Sequence, residues 1–160
     1  MQQKIIWSLW VQGWDNAPDL VKACKASWRL HNPEWTIHFL CERTLRDYVR
    51  PSPEFNELYN KKHPIVVLSD VIRNELLTTH GGIWADGTTY CLLPLVQWID
   101  YAVASGFFAF NRPGPDRILS NWFLAAERNN YVPRVWLKKP TAFGIIARRE
   151  INIIGIISFC

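Results

Sequence analysis

Nowhere does this chain keep apolar residues together for the roughly 20 positions that a bilayer-spanning helix needs. Its first residues, MQQK, run straight into a strand-like segment, without the charged-then-apolar pattern of a secretory leader. Cysteine is scarce: Cys24, Cys41, Cys91 and Cys160 show neither CxxC spacing nor the density of a small secreted scaffold, and read as reduced thiols. GxSxG, GxxxxGK[ST] and GxGxxG are all missing, so serine-hydrolase, P-loop and dinucleotide-dehydrogenase chemistries lose support. The four histidines, 31, 38, 63 and 80, have no paired metal spacing such as HExxH. Lys/Arg runs are absent too, so the net charge of +4 mildly favours anionic ligands without pointing to a nucleic-acid partner. The expected location is cytoplasmic, with peripheral attachment to the inner face of a membrane left open.

What the chain does have is apolar bulk and tryptophan. At 160 residues, with 49% apolar side chains, it has the material for one domain with a real core. Nine tryptophans either fill that core or stack on sugar rings and bases. Lys4 to Val11 (KIIWSLWV) predicts a buried strand, and Gln12 to Asn16 a loop at its C-terminal end. Pro18 and Asp19 open a helix with an apolar stripe of Leu20, Val21, Cys24, Trp28 and Leu30. Trp35 to Cys41 predicts a second strand and Thr44 to Val49 a short helix. Pro64 starts a longer helix. Strand, helix, strand, helix, strand implies an α/β layer with a largely parallel sheet. Further on, Pro94 to Ile99 predicts a turn, Tyr101 to Phe110 one or two strands, and Arg112 to Pro115 a loop. Leu119 to Arg128 (LSNWFLAAER) suits a helix, and Tyr131 to Leu137 another.

From Lys138 the pattern changes, and Ala142 to Ala147 and Ile151 to Cys160 are apolar without a period. A final strand is the simple reading. Shifted by one nucleotide, however, codons for Asn152 to Phe159 can spell a segment that begins Tyr-Tyr-Trp-Tyr-His. The division is therefore a domain over 1–137 and an atypical tail over 138–160, hypothesised to be out of frame or truncated. The gene's nucleotide sequence tests this, and a shifted frame that stops at once rejects it.

The chemistry concentrates between Ser69 and Leu93 (SDVIRNELLTTHGGIWADGTTYCLL). Asp70, Arg73 and Asn74 share a helical face, with Leu68, Val71, Ile72, Leu76 and Leu77 on the buried side. Gly81 and Gly82 stop the helix. Ile83, Trp84 and Ala85 then carry Asp86 to the end of a strand, followed by Gly87, Thr88 and Thr89. Asp-Gly is also a hairpin turn signal, and Asp70 with Arg73 could be a plain intrahelical ion pair. Against these stand the clustered hard oxygens of Asp86 and Thr88, which suit Mg²⁺ or Mn²⁺ and hence a diphosphate. Arg73 would then meet a phosphate or sugar hydroxyl, with Asp70 orienting it or hydrogen-bonding the sugar.

At these residues the chain resembles the capsular polysaccharide synthesis proteins, relatives of the glycosyltransferases with a DxD sugar motif. The Ser-Asp…Arg helix, Gly-Gly, aromatic strand and Asp carry the resemblance. KIIWSLWVQGWDNAP resembles the family's opening strand and loop, and LSNWFLAAERNN a later helix near the acceptor. The resemblance covers about Lys4 to Trp136. It implies a GT-A-like, nucleotide-sugar-binding α/β sandwich, C-terminally incomplete, using Mn²⁺ or Mg²⁺. Asp86 matches the first Asp of the DxD, and the second carboxylate is missing in Asp86-Gly87-Thr88. By the same match Asp86 and Arg73 are catalytic, with metal at Asp86 and Thr88. The donor, a UDP-sugar, lies on Gln12, Gly13, Asp70, Arg73, Gly81 and Gly82. Asn121 and Trp122 face the glycan acceptor, and Asp116 is a weak candidate for the base. The implied function is sugar transfer in capsule or surface-polysaccharide synthesis. The rival readings are a non-catalytic sugar-binding protein and an inactive truncated remnant.

Overall fold

The structure, a computed structural model, describes residues 1–50, 53, 56, 65–115 and 117–138. The tail beyond 138, its reading frame and the candidate base Asp116 lie outside the described residues.

Strand β1 (Ile5–Leu9) is the centre of the parallel part of a five-stranded sheet ordered β2-β1-β3-β5-β4. It pairs in parallel with β2 (Thr36–Leu40) on one side and β3 (Gly82–Ala85) on the other. β5 (Arg117–Ala126) then runs antiparallel to β3, and β4 (Phe107–Gly114) antiparallel to β5. The central strands are apolar on both faces because both are covered. On one side Trp7, Trp84 and Leu124 pack with helix α3 (Ile65–His80) and with Trp136 of α5 (Tyr131–Leu137). On the other, Ile6, Ile83, Ala85 and Phe123 pack with Trp28 of α1 (Asp19–His31) and with Ile99 and Ala102 of the short α4 (Ile99–Ala102). Helix α2 (Glu42–Leu45) follows β2. The result is an α/β arrangement, as the order of elements implied, with a mixed sheet covered by helices on both faces.

Helix α3 buries the apolar side read from its spacing: Val71, Ile72, Leu76 and Leu77 are at most 1% exposed. Each such burial stabilises by about 1.5–3 kcal/mol before entropy is counted. Gly81 (φ +71°) caps the helix, its N–H donating to the Leu77 carbonyl at 3.0 Å. Gly82 (φ +100°) leans against β1, where an added Cβ would stand 2.6 Å from the Ile5 carbonyl oxygen. Only glycine satisfies both the dihedral and the contact.

Three expectations need correction. Leu119 to Arg128 is not a helix but most of β5, so Asn121 and Trp122 sit on a strand. Its apolar residues fit a helical stripe, yet the strand is buried on both faces, with Phe123 in one core and Leu124 in the other. Continuous burial erases the period-two signal, and the free edge of β3 supplies the pairing that decides for strand. Arg112 to Gly114, expected as loop, continues β4 through two register irregularities. Leu20 and Leu30, placed on the apolar stripe of α1, are instead exposed. Six of the nine tryptophans (7, 14, 28, 35, 84 and 136) are core. Cys24, Cys41 and Cys91 are free thiols.

Candidate functional site

The C-terminal ends of parallel strands are where open α/β sheets bind ligands, since helix N-termini and loops gather there. In this chain that edge is built around one guanidinium. Arg73 is only 3% exposed. Its Nε donates to the Ser69 carbonyl at 3.2 Å and its Nη2 to Ser69 Oγ at 3.0 Å, one turn back on α3. Nη1 donates across to the Asn121 carbonyl of β5. The same group stands 3.1 Å from Asp70 Oδ1 and 3.6 Å from Asp86 Oδ1. The Trp84 ring lies 5.2 Å from its central carbon, a cation–π distance.

Asp86 is held from three sides. Its N–H donates to the Trp122 carbonyl at 2.8 Å, fixing it to β5 just past the end of β3. Trp84 Nε1 donates to Oδ1 at 2.6 Å, because residues two apart on a strand project to one face. Its own carbonyl accepts from Thr89 N–H at 2.8 Å, so the Asp-Gly signal does make a turn, one that carries the carboxylate. Asp86 side-chain exposure is 32%, against 16% for Asp70. Burial pushes the Asp70 carboxyl above its usual range, against the pull of Arg73; Asp86 adds repulsion, and the Asn121 side chain pulls down.

A cleft of about 290 Å³ opens in front of Arg73 and Asp86, lined also by Trp10, Gln12, Ser69 and Thr88. Of the residues singled out in the sequence, Gln12, Arg73, Asp86 and Thr88 thus converge on one cavity. Asp70 stands behind Arg73 as its counter-charge. Asn121 and Trp122 contribute backbone carbonyls that hold Arg73 and Asp86. Gly13 adjoins the lining with φ +91°. Gly81 and Gly82 lie at the opposite end of β3 from Asp86, where they serve the helix–strand junction; the Gly81 carbonyl accepts from Trp7 Nε1 at 2.9 Å. Sequence reasoning missed Trp84 and Ser69 as parts of the site. Their signal was position: Trp84 is two before Asp86, and Ser69 is four before Arg73.

The five N–H bonds of a guanidinium are all it has to offer, and those of Arg73 face Ser69, Asp70, Asn121 and Asp86. It therefore acts on an occupant of the cleft mainly as a fixed positive charge in a poorly solvated place. Among the described residues no cluster of three or more His, Cys, Asp or Glu could hold a metal ion. A single well-oriented carboxylate with a nearby hydroxyl suits a hard cation that takes its other ligands from phosphates and water, as Mg²⁺ does.

A sequence profile of the "Capsular polysaccharide synthesis protein" family matches residues 1–143. The chain belongs to this family. It is similar to HOC1 of Saccharomyces cerevisiae, assigned as a glycosyltransferase, with 30% identity over 98 residues. That match spans 59% of this chain and 24% of HOC1. The O-glycosyltransferase PaGT of Phomopsis amygdali is 26% identical over 152 residues, covering 84% of this chain and 37% of PaGT. The chain thus spans well under half the length of either relative. Among solved structures, the PaToxG glycosyltransferase superposes with a TM-score of 0.64 at 14% identity, over 88% of this chain and 60% of that one. The fold is GT-A-like. No helix among the described residues is long and apolar enough to cross a membrane.

Proposed function

We propose that this chain forms the donor site of a glycosyltransferase that takes a sugar from a nucleoside diphosphate sugar, a UDP-sugar in the first instance. The observation that carries the reading is the convergence of Asp86, Arg73, Gln12 and Thr88 on one cleft at the strand ends. The acceptor is a glycan of capsule or surface polysaccharide, as the family description suggests.

Transfer breaks the bond between the sugar's anomeric carbon and the diphosphate oxygen and forms one to an acceptor hydroxyl oxygen, whose proton passes to the departing diphosphate or to water. Negative charge builds on the departing diphosphate, and groups already aimed at it lower the barrier. Arg73 holds a positive charge at the cleft wall, locked by bonds to α3 and β5. Trp84 engages Asp86 Oδ1, so the carboxylate keeps one orientation. Asp86 and Thr88 would hold Mn²⁺ or Mg²⁺ together with the diphosphate oxygens, and the ion would supply further charge neutralisation. Trp10 and Gln12, which line the cleft on the loop after β1, would stack on and hydrogen-bond a nucleobase.

Calorimetry with UDP and UDP-glucose, with and without Mn²⁺, tests this. Metal-dependent binding that weakens at least tenfold in Asp86→Ala supports the reading. Equal binding by that variant removes the metal role, and no binding of either nucleotide under any condition removes the donor site.

A further inference from the structure

A second cavity, of about 530 Å³, lies on the other face of the sheet, beside the same strand end. Trp28, Trp98, Phe108, Phe110 and Phe123 wall it. No charged side chain is among the described residues that line it. Many of its polar groups are already engaged within the protein. Trp28 Nε1 donates to the Thr89 carbonyl at 2.7 Å, and the Cys91 N–H to Ser27 Oγ at 2.9 Å. The Cys91 thiol donates to the Leu93 carbonyl at 3.3 Å, and the Leu95 N–H to Asn32 Oδ1 at 2.9 Å. A polar ligand would lose its hydration there and gain little in return, whereas an apolar one loses nothing. The volume lies within the range of small-molecule sites.

Its position says more than its volume. Gly87 and Thr88 line the charged cleft, and Thr89 to Leu93 line the apolar cavity. One turn therefore separates the two, closed by the Thr89 N–H to Asp86 carbonyl bond. Leu92 and Leu93 stand exposed at the mouth, at 76% and 59%, and Phe110 is 41% exposed. Grouped at the mouth of an apolar cavity, these side chains mark a candidate ligand-binding surface. We infer that this cavity binds the hydrocarbon tail of an amphiphilic acceptor, whose polar head reaches around the 87–89 turn to the charged cleft. The acceptor role rests on the transferase reading above; the binding of a tail does not.

The probe is a series of alkyl maltosides with eight, ten and twelve carbons, each below its micellar concentration, with maltose as control, followed by calorimetry. One-to-one saturable binding is expected, tightening by up to about fourfold per methylene, while maltose gives none. Phe110→Asp and Leu93→Asp, partly or largely exposed and so able to fold, are expected to weaken binding at least tenfold with melting curves like wild type. Leu20→Asp, at an exposed position on α1 that lines neither cavity, is expected to bind the maltosides as wild type does. Binding that ignores chain length, or that both rim variants retain, overturns the inference. So does sedimentation showing a dimer that Leu93→Asp dissociates while maltosides do not bind, since a second copy then covers the cavity. Co-sedimentation with phosphatidylcholine vesicles without binding of the maltosides also overturns it, in favour of a membrane face. If maltosides bind but UDP with Mn²⁺ does not, the tail site stands and the transferase reading falls.

Discussion

Replacing Arg73 by methionine keeps most of the side chain's length and removes its charge. Five groups on four residues lose their partner: the Ser69 carbonyl and hydroxyl, the Asn121 carbonyl and the carboxylates of Asp70 and Asp86. Breaking a buried pair by removing one member costs about 3–5 kcal/mol, because the other charge stays behind. The lower part of that range is expected here, since Asp86, about one-third exposed, is already partly solvated and keeps its bond from Trp84. Asp70 has less recourse, at 16%. Its carboxyl already titrates above the usual range because of burial, and losing Arg73 removes the main force pulling it back. A carboxyl whose folded pKa exceeds its unfolded one stabilises the fold below the unfolded value and loses that contribution as pH rises through the folded value. The deficit of Arg73→Met should therefore be larger at pH 7 than at pH 5. Urea unfolding across pH 5 to 8 measures it, and adding Asp70→Asn should recover about 1–3 kcal/mol at pH 7 by removing the stranded charge. A deficit under about 1 kcal/mol, or one that does not change with pH and is not relieved by Asp70→Asn, would refute the view of Arg73 as a buried electrostatic hub.

Three further outcomes are expected. Gly82→Ala should destabilise by at least about 2 kcal/mol, combining the strain of φ +100° with a 2.6 Å clash, and would be seen as a lower thermal midpoint. His38 stacks on Trp7 at 4.6 Å, and burial together with His80 holds its pKa below the ordinary value of 6.5. Its contribution to stability is thus complete above pH 6.5 and lost as pH falls through the lowered value, so His38→Phe should flatten the acid limb of a stability–pH curve. Mn²⁺ alone should show little binding by electron paramagnetic resonance, and clear binding once UDP is added, because Asp86 is the sole carboxylate among the described cleft-lining residues.

The sequence made the parallel half of the fold legible because its signals were local. Apolar runs at Lys4 to Val11 and Trp35 to Cys41, the helical spacing around Arg73 and the double glycine each specify structure within a few residues. The antiparallel half was not legible. Leu119 to Arg128 offers a helical stripe, and only its pairing with Gly82–Ala85, some 40 residues away, and with β4 makes it a strand. The site divides in the same way. Asp86, Arg73 and Thr88 stand out by residue type and spacing, and Gln12 through the resemblance of its loop. Gly81 and Gly82 mark the right strand but its far end, since a glycine needed for packing and one needed for ligand approach look alike in sequence. The carbonyls of Asn121 and Trp122 have no side-chain signature, so a backbone role for them could not be foreseen.

The bond between Arg73 and the Asn121 carbonyl also bears on the order in which the site comes into being. The acceptor lies 48 residues downstream of the donor. A growing chain that has reached Leu93 already contains every side chain that lines the charged cleft. It does not yet contain β5, so neither the Arg73 fork nor the Asp86 N–H has its final partner. Closing a loop of this length delays such contacts relative to local ones. The charged cleft is therefore completed late, when the β4–β5 hairpin docks, and a chain ending before that hairpin would carry the motif without the geometry.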